Sequence, residues 1–408
     1  MKTPELLAPA GNLEKLKAAI NFGADAVYLG GSKLNLRAFA DNFSNEQLLE
    51  GIEFAHSRDK KVYVTLNVFP HNEDLEGLED YLRELYEAGV DAIIVSDPGI
   101  IMISKETVPD LEIHLSTQAN TVNWKTCEFW HKMGVKRVVL ARELSLEEVT
   151  MVQDKIPETM DVEIFVHGSM CMAYSGRCVI SNYMVGRDAN RGSCAQPCRY
   201  KYSLVEEKRE GEYYPVIEDD RGSYIMNSKD LCMIEHIPEL MKTGALSFKI
   251  EGRMKSTYYV ASVVKAYREA IDEYMKSPED YKFNPKWLED LNKPSHREYY
   301  TGFYLNEENK QVQDSSAYIR NYDIVGMVKA YDKVNKIVTI EHRNKVVEGA
   351  TVEVLRPVGS NVEIVLNNLH DEKGNKIDCA PSSKMIYTAV VDVDLEENDI
   401  IIKAKEEV

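Results

Sequence analysis

At 408 residues, with 44 % hydrophobic and 28 % charged residues, the chain has a globular composition, which excludes a peptide scaffold and a disordered tract. Its length suits one large barrel plus a smaller module. With 49 lysines and arginines against 67 aspartates and glutamates, the net charge of −18 excludes wide nonspecific attraction to nucleic acid, so any RNA contact must be concentrated locally.

The opening segment, Met1 to Pro9, has too short an apolar stretch and the wrong cleavage context for a secretory signal. The longest apolar runs, Ala92–Val95 and Val138–Ala141, are strand-sized and fall short of a bilayer span. A cytoplasmic protein without membrane association is expected.

Short β-branched runs then alternate with amphipathic stretches, the pattern of parallel βαβ units. The periodicity predicts eight strands at Glu5–Pro9, Ala26–Leu29, Val62–Asn67, Ala92–Ser96, Glu112–Ser116, Arg137–Ala141, Glu163–His167 and Ser247–Glu251. Helices are predicted at Leu13–Phe22, Asn45–His56, Asp74–Ala88, Trp124–Met133, Leu146–Ile156 and Tyr258–Tyr274. Gly23, Gly89 and Gly134 follow three of them, as glycine C-caps should.

The expected fold is therefore a TIM-like (β/α)8 barrel over residues 1–310, with its site at the carboxyl ends of the strands. An open doubly wound sheet is the alternative, and it obeys the same strand-end rule. Those ends carry Asn67, Asp97, Gln118, Arg142, Glu143, His167, Lys249, Glu251 and Arg253, with Asn35, Leu36 and Arg37 after the second strand. After the seventh strand the regularity breaks for about eighty residues, far longer than an ordinary βα connection. This insertion, residues 168–232, holds most of the cysteines. From Tyr322 the texture changes to short strands and turns at Val325–Ala330, Lys336–Glu341, Thr351–Leu355, Asn361–Leu366, Met385–Val391 and Ile400–Lys403. Residues 322–408 are thus expected to form a C-terminal β-barrel domain suited to docking or substrate orientation.

Cys171, Cys178, Cys194 and Cys198 are spaced C-x6-C-x15-C-x3-C, and Cys232 follows. Thiolates gathered on a loop at a barrel mouth suit an iron–sulfur cluster or zinc. The C-x2-C pairs usual in zinc knuckles and the C-x3-C-x2-C triad of radical S-adenosylmethionine sites are both absent, so a [4Fe–4S] cluster is favoured over zinc and over buried thiols. Cys127, within an amphipathic helix, and Cys379, in the terminal domain, are expected to be structural. The same loop carries Arg177, Arg187, Arg191, Arg199 and Lys201 against Asp188, interleaved with Tyr174, Tyr183, Tyr200 and Tyr202. Arginine with aromatic residues suits a single-stranded RNA loop, through phosphate pairing and base stacking.

The run Glu163-Ile-Phe-Val-His-Gly-Ser-Met-Cys-Met-Ala-Tyr-Ser-Gly-Arg-Cys178 resembles the signature of the collagenase-like peptidases, unassigned-peptidase family thirty-two. Glu5 to Gly11, Gly186 to Gly192 and Lys249 to Arg253 are similar to that family as well, and so is the terminal β domain. The resemblance implies more than proteolysis. Members include tRNA hydroxylation proteins that make 5-hydroxyuridine at the wobble position, with prephenate as a required metabolite. Relatives hydroxylate ribosomal-RNA cytidine or ubiquinone, and family cysteines hold a [4Fe–4S] cluster.

Carried over, Cys171, Cys178 and Cys194 are ligand positions and the fourth is Cys232 or Cys198. Cys232 is preferred, because a four-residue step from Cys194 leaves Cys198 for packing. Prephenate as co-substrate, tRNA as partner, a paired family-member subunit and an electron donor of unspecified kind complete the expectation. His167 is the leading proton-transfer candidate, with Glu143 and Glu251 as alternative acid–base groups. Lys249, Arg253 and Arg142 are candidates to clamp a dicarboxylate or an RNA phosphate. Asp97, Gln118, Asn67 and Arg37 rank behind them. A peptidase would need a metal site, a nucleophile–base pair or close carboxylates, and neither H-E-x-x-H nor G-x-S-x-G occurs. His167 with Ser169 or Cys171 would be the remaining arrangement, and a noncatalytic RNA-binding or cluster-carrying protein is the third class.

Overall fold

A computed structural model describes residues 2–34, 42–170, 175–199, 203–205, 213–215, 229–305 and 319–405. Its first sheet contains β1 (Glu5–Pro9), β2 (Ala26–Gly30), β3 (Lys61–Leu66), β4 (Ala92–Val95), β5 (Glu112–Leu115), β6 (Arg137–Val139), β7 (Asp161–Ser169), β8 (Asp230–Cys232), β9 (Ser247–Ile250) and β10 (Tyr299–Tyr300). Strands β1 to β7 pair in parallel, each with the next. β9 then bonds to both β1, with Glu5 opposite Ser247, and β7, with Phe165 opposite Lys249. The sheet is closed, so the open alternative is excluded. β8 runs antiparallel along the far end of β7, and β10 pairs with β8.

The helices, in chain order, are α1 (Leu13–Asn21), α2 (Asn45–His56), α3 (Leu78–Glu87), α4 (Pro98–Thr107), α5 (Trp124–Lys132), α6 (Leu146–Lys155), α7 (Ile180–Val185), α8 (Ile237–Lys242), α9 (Thr257–Lys276) and α10 (Pro285–Leu291). Side-chain caps start many of them, with Asn12, Ser44, Asn123, Ser145 and Ser256 each accepting a backbone N–H. Gly23, Gly89 and Gly134 follow α1, α3 and α5 with φ of +107°, +85° and +86°, which provides the left-handed turn into the next strand. Helix α3 starts at Leu78 and not at Asp74, because Gly77 breaks the chain at φ +69° after a 3-10 turn at Asn72–Leu75.

Alternate residues of each strand face opposite ways. One set, including Leu6, Ala8, Val27, Leu29, Val62, Val64, Ile93 and Ile113, packs beneath the helices. Each large aliphatic side chain buried this way contributes roughly 1.5–3 kcal/mol. The other set fills the barrel and mixes apolar Leu7, Ala26, Tyr28, Tyr63, Ala92 and Ile94 with a buried ionic axis. In that axis Glu163 accepts from Lys249 Nζ at 2.7 Å, Arg137 at 3.3 Å and Ser247 Oγ at 2.9 Å, while Arg137 also meets Glu5 at 2.5 Å.

The second domain is a closed antiparallel barrel of β11 (Tyr322–Asp332), β12 (Ile337–His342), β13 (Ala350–Leu355), β14 (Val362–Asp371), β15 (Ile386–Val390) and β16 (Ile400–Ala404). Met327, Leu355, Ile400 and Ile402 join the core of the first domain. Lys293 to Glu353 at 2.6 Å and Arg343 to Glu14 at 2.5 Å cross the junction, and Lys265 Nζ donates to the Gly359 carbonyl at 2.7 Å.

Candidate active site

The carboxyl ends of the strands open into a cavity of about 310 Å³, walled on one side by barrel residues and on the other by the segment between Ser175 and Cys198. Strand alternation supplies the barrel wall. Thr65 and Asn67 on one edge, Ser116 and Gln118 on another, and Tyr28, Phe165 and Lys249 all reach it, as do Arg142, Glu251 and Arg253. The opposite wall carries Cys178, Cys194 and Cys198, with Ser175, Ile180, Arg187 and Asn190.

Two close backbone approaches hold the walls together. Gly168, at φ +112°, lies so near the Glu251 carbonyl that a Cβ would sit 2.4 Å from its oxygen. Gly176, at φ +73°, is pressed likewise on the Gln118 carbonyl, where a Cβ would be 2.0 Å away. Side chains in these positions would push the segment off the mouth. Phe69 N–H to the Asn190 carbonyl is a further tie between the walls, while Asn190 Nδ2 to the Cys178 carbonyl and Ala195 N–H to Ser181 Oγ brace the segment itself.

The electrostatics of the cavity are cationic. Among the described lining residues Arg142, Arg187, Lys249 and Arg253 stand against one carboxylate, Glu251. The Arg142 guanidinium lies 3.8 Å from the Phe165 ring centroid and pairs with Glu251 at 3.4 Å, so its plane is fixed by stacking and charge. Arg253 is buried and donates to Thr65 Oγ1 at 3.1 Å. Asn67 Nδ2 donates to Ser116 Oγ at 3.3 Å, and among the described residues its Oδ1 has no hydrogen-bond partner.

Several residues selected from strand ends do other work. His167 is 1 % exposed and off the cavity lining. A register slip between β7 and β9 pairs Lys249 with Phe165 but Ile250 with His167, so the inward alternation ends at Phe165. The His167 ring lies instead among Tyr259, Tyr267 and Tyr299, and burial, with Lys255 and His296 adding, lowers its pKa to about 3. This placement removes it from proton transfer in the cavity. Asp97 caps α4, accepting from the N–H groups of Gly99 and Ile100 at 2.8 and 3.1 Å, and is also off the lining. Glu143 accepts the Ser175 N–H at 2.9 Å, tying the start of the cysteine segment to the barrel, and is off the lining. Lys249 reaches the cavity floor, yet its ammonium is paired with Glu163.

In the basic segment Arg177 is exposed and Arg187 lines the cavity. Arg191 is turned away, paired with Asp74 at 2.8 Å and Glu73 at 3.6 Å, where it ties the segment to the β3–α3 connection. The preference for Cys232 over Cys198 also meets a contrary placement. Cys198 shares the cavity wall with Cys178 and Cys194, whereas Cys232 is the packed thiol, 8 % exposed, with its pKa pushed up to about 12 by burial. Cys127 is fully buried in α5. Cys171, Arg37 and Lys201 lie outside the described residues, and so does the Arg199 side chain. Tyr28, Thr65, Ser116, Phe165 and Ser175 were not singled out from sequence. Extending the inward alternation through each strand would have found the first four.

Fold and site together define a TIM-barrel protein whose carboxyl mouth carries a roofed cavity of thiols and arginines. The chain belongs to Peptidase family U32, which it matches over residues 11–314, with the Peptidase family U32 C-terminal domain over residues 320–401. It is 44 % identical over 406 residues to "tRNA hydroxylation protein P1" of Bacillus subtilis, covering 99 % of this chain and 96 % of that one. It is 38 % identical to "tRNA hydroxylation protein P" of Escherichia coli, covering 98 % and 96 %. A third relative, "Collagenase" of Porphyromonas gingivalis, is 37 % identical over 313 residues, 74 % of each chain. Among the described residues no helix is long and apolar enough to cross a membrane.

Proposed function

We propose that this protein hydroxylates tRNA, making 5-hydroxyuridine at the wobble position, with an iron–sulfur cluster on the cysteine segment and prephenate as co-substrate. The observation that carries the reading is the cavity in which Cys178, Cys194 and Cys198 face Arg142, Arg253 and Glu251. Relatives named for tRNA hydroxylation over nearly the whole chain support the RNA substrate.

Cys178, Cys194 and Cys198 line one wall with no histidine among the described lining residues, and soft thiol donors of this kind support iron–sulfur over a hard cation. Among the described residues alone no three such side chains are grouped as a metal site, and Cys171 lies outside them. Cys178 and Cys194, with Cys171, would hold the cluster, and the fourth ligand falls to Cys198 or Cys232. Bound there, it would supply one-electron transfer. The remaining work belongs to the chain. Arg142, its plane preset by Phe165 and Glu251, and Arg253, anchored on Thr65, would seat the carboxylates of a small dianion. Glu251 is the described lining carboxylate placed to accept or return a proton. At about 310 Å³ the cavity suits a small metabolite or one extruded nucleotide, and the segment 175–198 covers one side of it.

Against the peptidase reading, His167 is packed among Tyr259, Tyr267 and Tyr299, away from Cys178, Cys194 and Cys198 of the described lining. Anaerobic purification with iron, sulfide and zinc analysis on one sample tests the proposal. Iron and sulfide near four per chain are expected, with visible absorption lost in Cys178→Ala. Zinc alone, or no metal, would contradict it. Cys198→Ala and Cys232→Ala, compared for retained iron, assign the fourth ligand.

A further inference from the structure

The short helix α7 lies on the cysteine segment between Cys178 and Cys194 and is fastened from behind. Ser181 is fully buried and accepts the Ala195 N–H at 3.0 Å, while Ile180 lines the cavity. One step round the helix the surface is apolar and exposed. Val179 is 69 % exposed and Tyr183 is 91 % exposed, and the two sit one turn apart, with Tyr183 N–H donating to the Val179 carbonyl at 2.9 Å. Met254, also 54 % exposed, lines the same cavity from the barrel side. Arg177 and Arg187 flank the helix in sequence, the first exposed and the second on the lining. Among its described residues the segment thus combines Arg177 and Arg187 with one strongly exposed aromatic ring, on a chain whose net charge is −18.

Resting on the tRNA reading, we infer that Tyr183 is a stacking platform for the nucleotide next to the one that enters the cavity. The cavity holds about 310 Å³ and is roofed, so a reacting base must leave its stack while its neighbour stays outside. That neighbour loses a stacking partner. Tyr183, exposed one turn after the lining residue Ile180, replaces it, and Arg177 and Arg187, on either side of the helix in sequence, supply cations for the flanking phosphates. The occupant is therefore a single-stranded loop nucleotide, selected by charge complementarity and by a π-face.

The test is equilibrium binding of a fluorescent anticodon stem–loop RNA with a wobble uridine, at fixed salt, to the anaerobically purified full chain. Tyr183→Ala should weaken binding roughly tenfold or more, while Tyr183→Trp stays near wild type, as stacking requires. The slope of log affinity against log salt should be unchanged in Tyr183→Ala and smaller by about 0.7 in Arg177→Ala. Tyr86→Ala, on the remote helix α3, should bind as wild type does. Binding by Tyr183→Ala within twofold of wild type would overturn the stacking role while leaving the tRNA reading in place. Failure of the wild-type protein to bind the RNA would overturn both.

Discussion

Replacing Glu163 by Gln probes the ionic axis beneath the cavity. The carboxylate is 0 % exposed and meets Lys249 at 2.7 Å, Arg137 at 3.3 Å and Ser247 Oγ at 2.9 Å. Burial alone would raise its pKa, but Lys249 and Arg137 outweigh that and hold it at about 2 against an ordinary 4.5. A lowered folded value means stability that is present above about pH 4.5 and is lost as pH falls towards 2. The difference corresponds to roughly 3 kcal/mol at neutral pH. Glutamine keeps the volume and an acceptor for Ser247, but it strands the Lys249 ammonium in the barrel. Breaking a buried pair this way costs about 3–5 kcal/mol. Guanidinium denaturation followed by far-ultraviolet circular dichroism, at pH 7, should show that loss. Glu163→Gln combined with Lys249→Met should recover at least half of it, since the stranded charge is gone. A single variant within about 1 kcal/mol of wild type, or a double variant losing the sum of both singles, would refute the reasoning.

His167 titrates near 6.5 when unfolded and near 3 when folded, so its share of stability is present above pH 6.5 and is lost as pH falls towards 3. Between pH 7 and pH 5 the wild type should therefore lose about 2 kcal/mol more than His167→Phe in the same denaturation experiment. Asp97→Ala should cost about 1 kcal/mol as a lost helix cap, with RNA binding unchanged by titration of the stem–loop. Arg142→Lys should weaken prephenate binding about tenfold by calorimetry, because lysine offers no planar fork to stack on Phe165. Cys127→Ala should keep the visible absorption that Cys178→Ala loses, since Cys127 is buried in α5 away from the cavity.

The barrel was legible because each strand repeats one physical pattern. Alternation ran true through β1 to β6, and helix-closing glycines marked where each turn must go left-handed. The cavity was legible to the extent that this alternation continues, which is why Asn67, Gln118, Glu251 and Arg253 converge as expected, whereas Arg142 reaches the lining from the turn after β6, out of step with Arg137 and Val139. Where local geometry interrupts it, the reading failed. A single register slip at Phe165 and His167 sends the histidine to α9, and periodicity gives no warning of such a slip. Asp97 shows a different limit, since Asp-Pro-Gly at a strand end is equally a helix start, and the cap uses the carboxylate. The role of Lys249 depended on Glu163, a charged residue in a strand interior that only barrel closure places opposite it. Cys198 and Cys232 were separable only by tertiary placement, because spacing says nothing of which thiol the core encloses.

The most direct test is mass analysis of tRNA nucleosides from a host that lacks its own tRNA hydroxylation and expresses this chain. Wild type should restore 5-hydroxyuridine, and Cys178→Ala, made to the same level, should not. Absence of hydroxyuridine with folded, iron-loaded wild-type protein present would contradict the proposed activity.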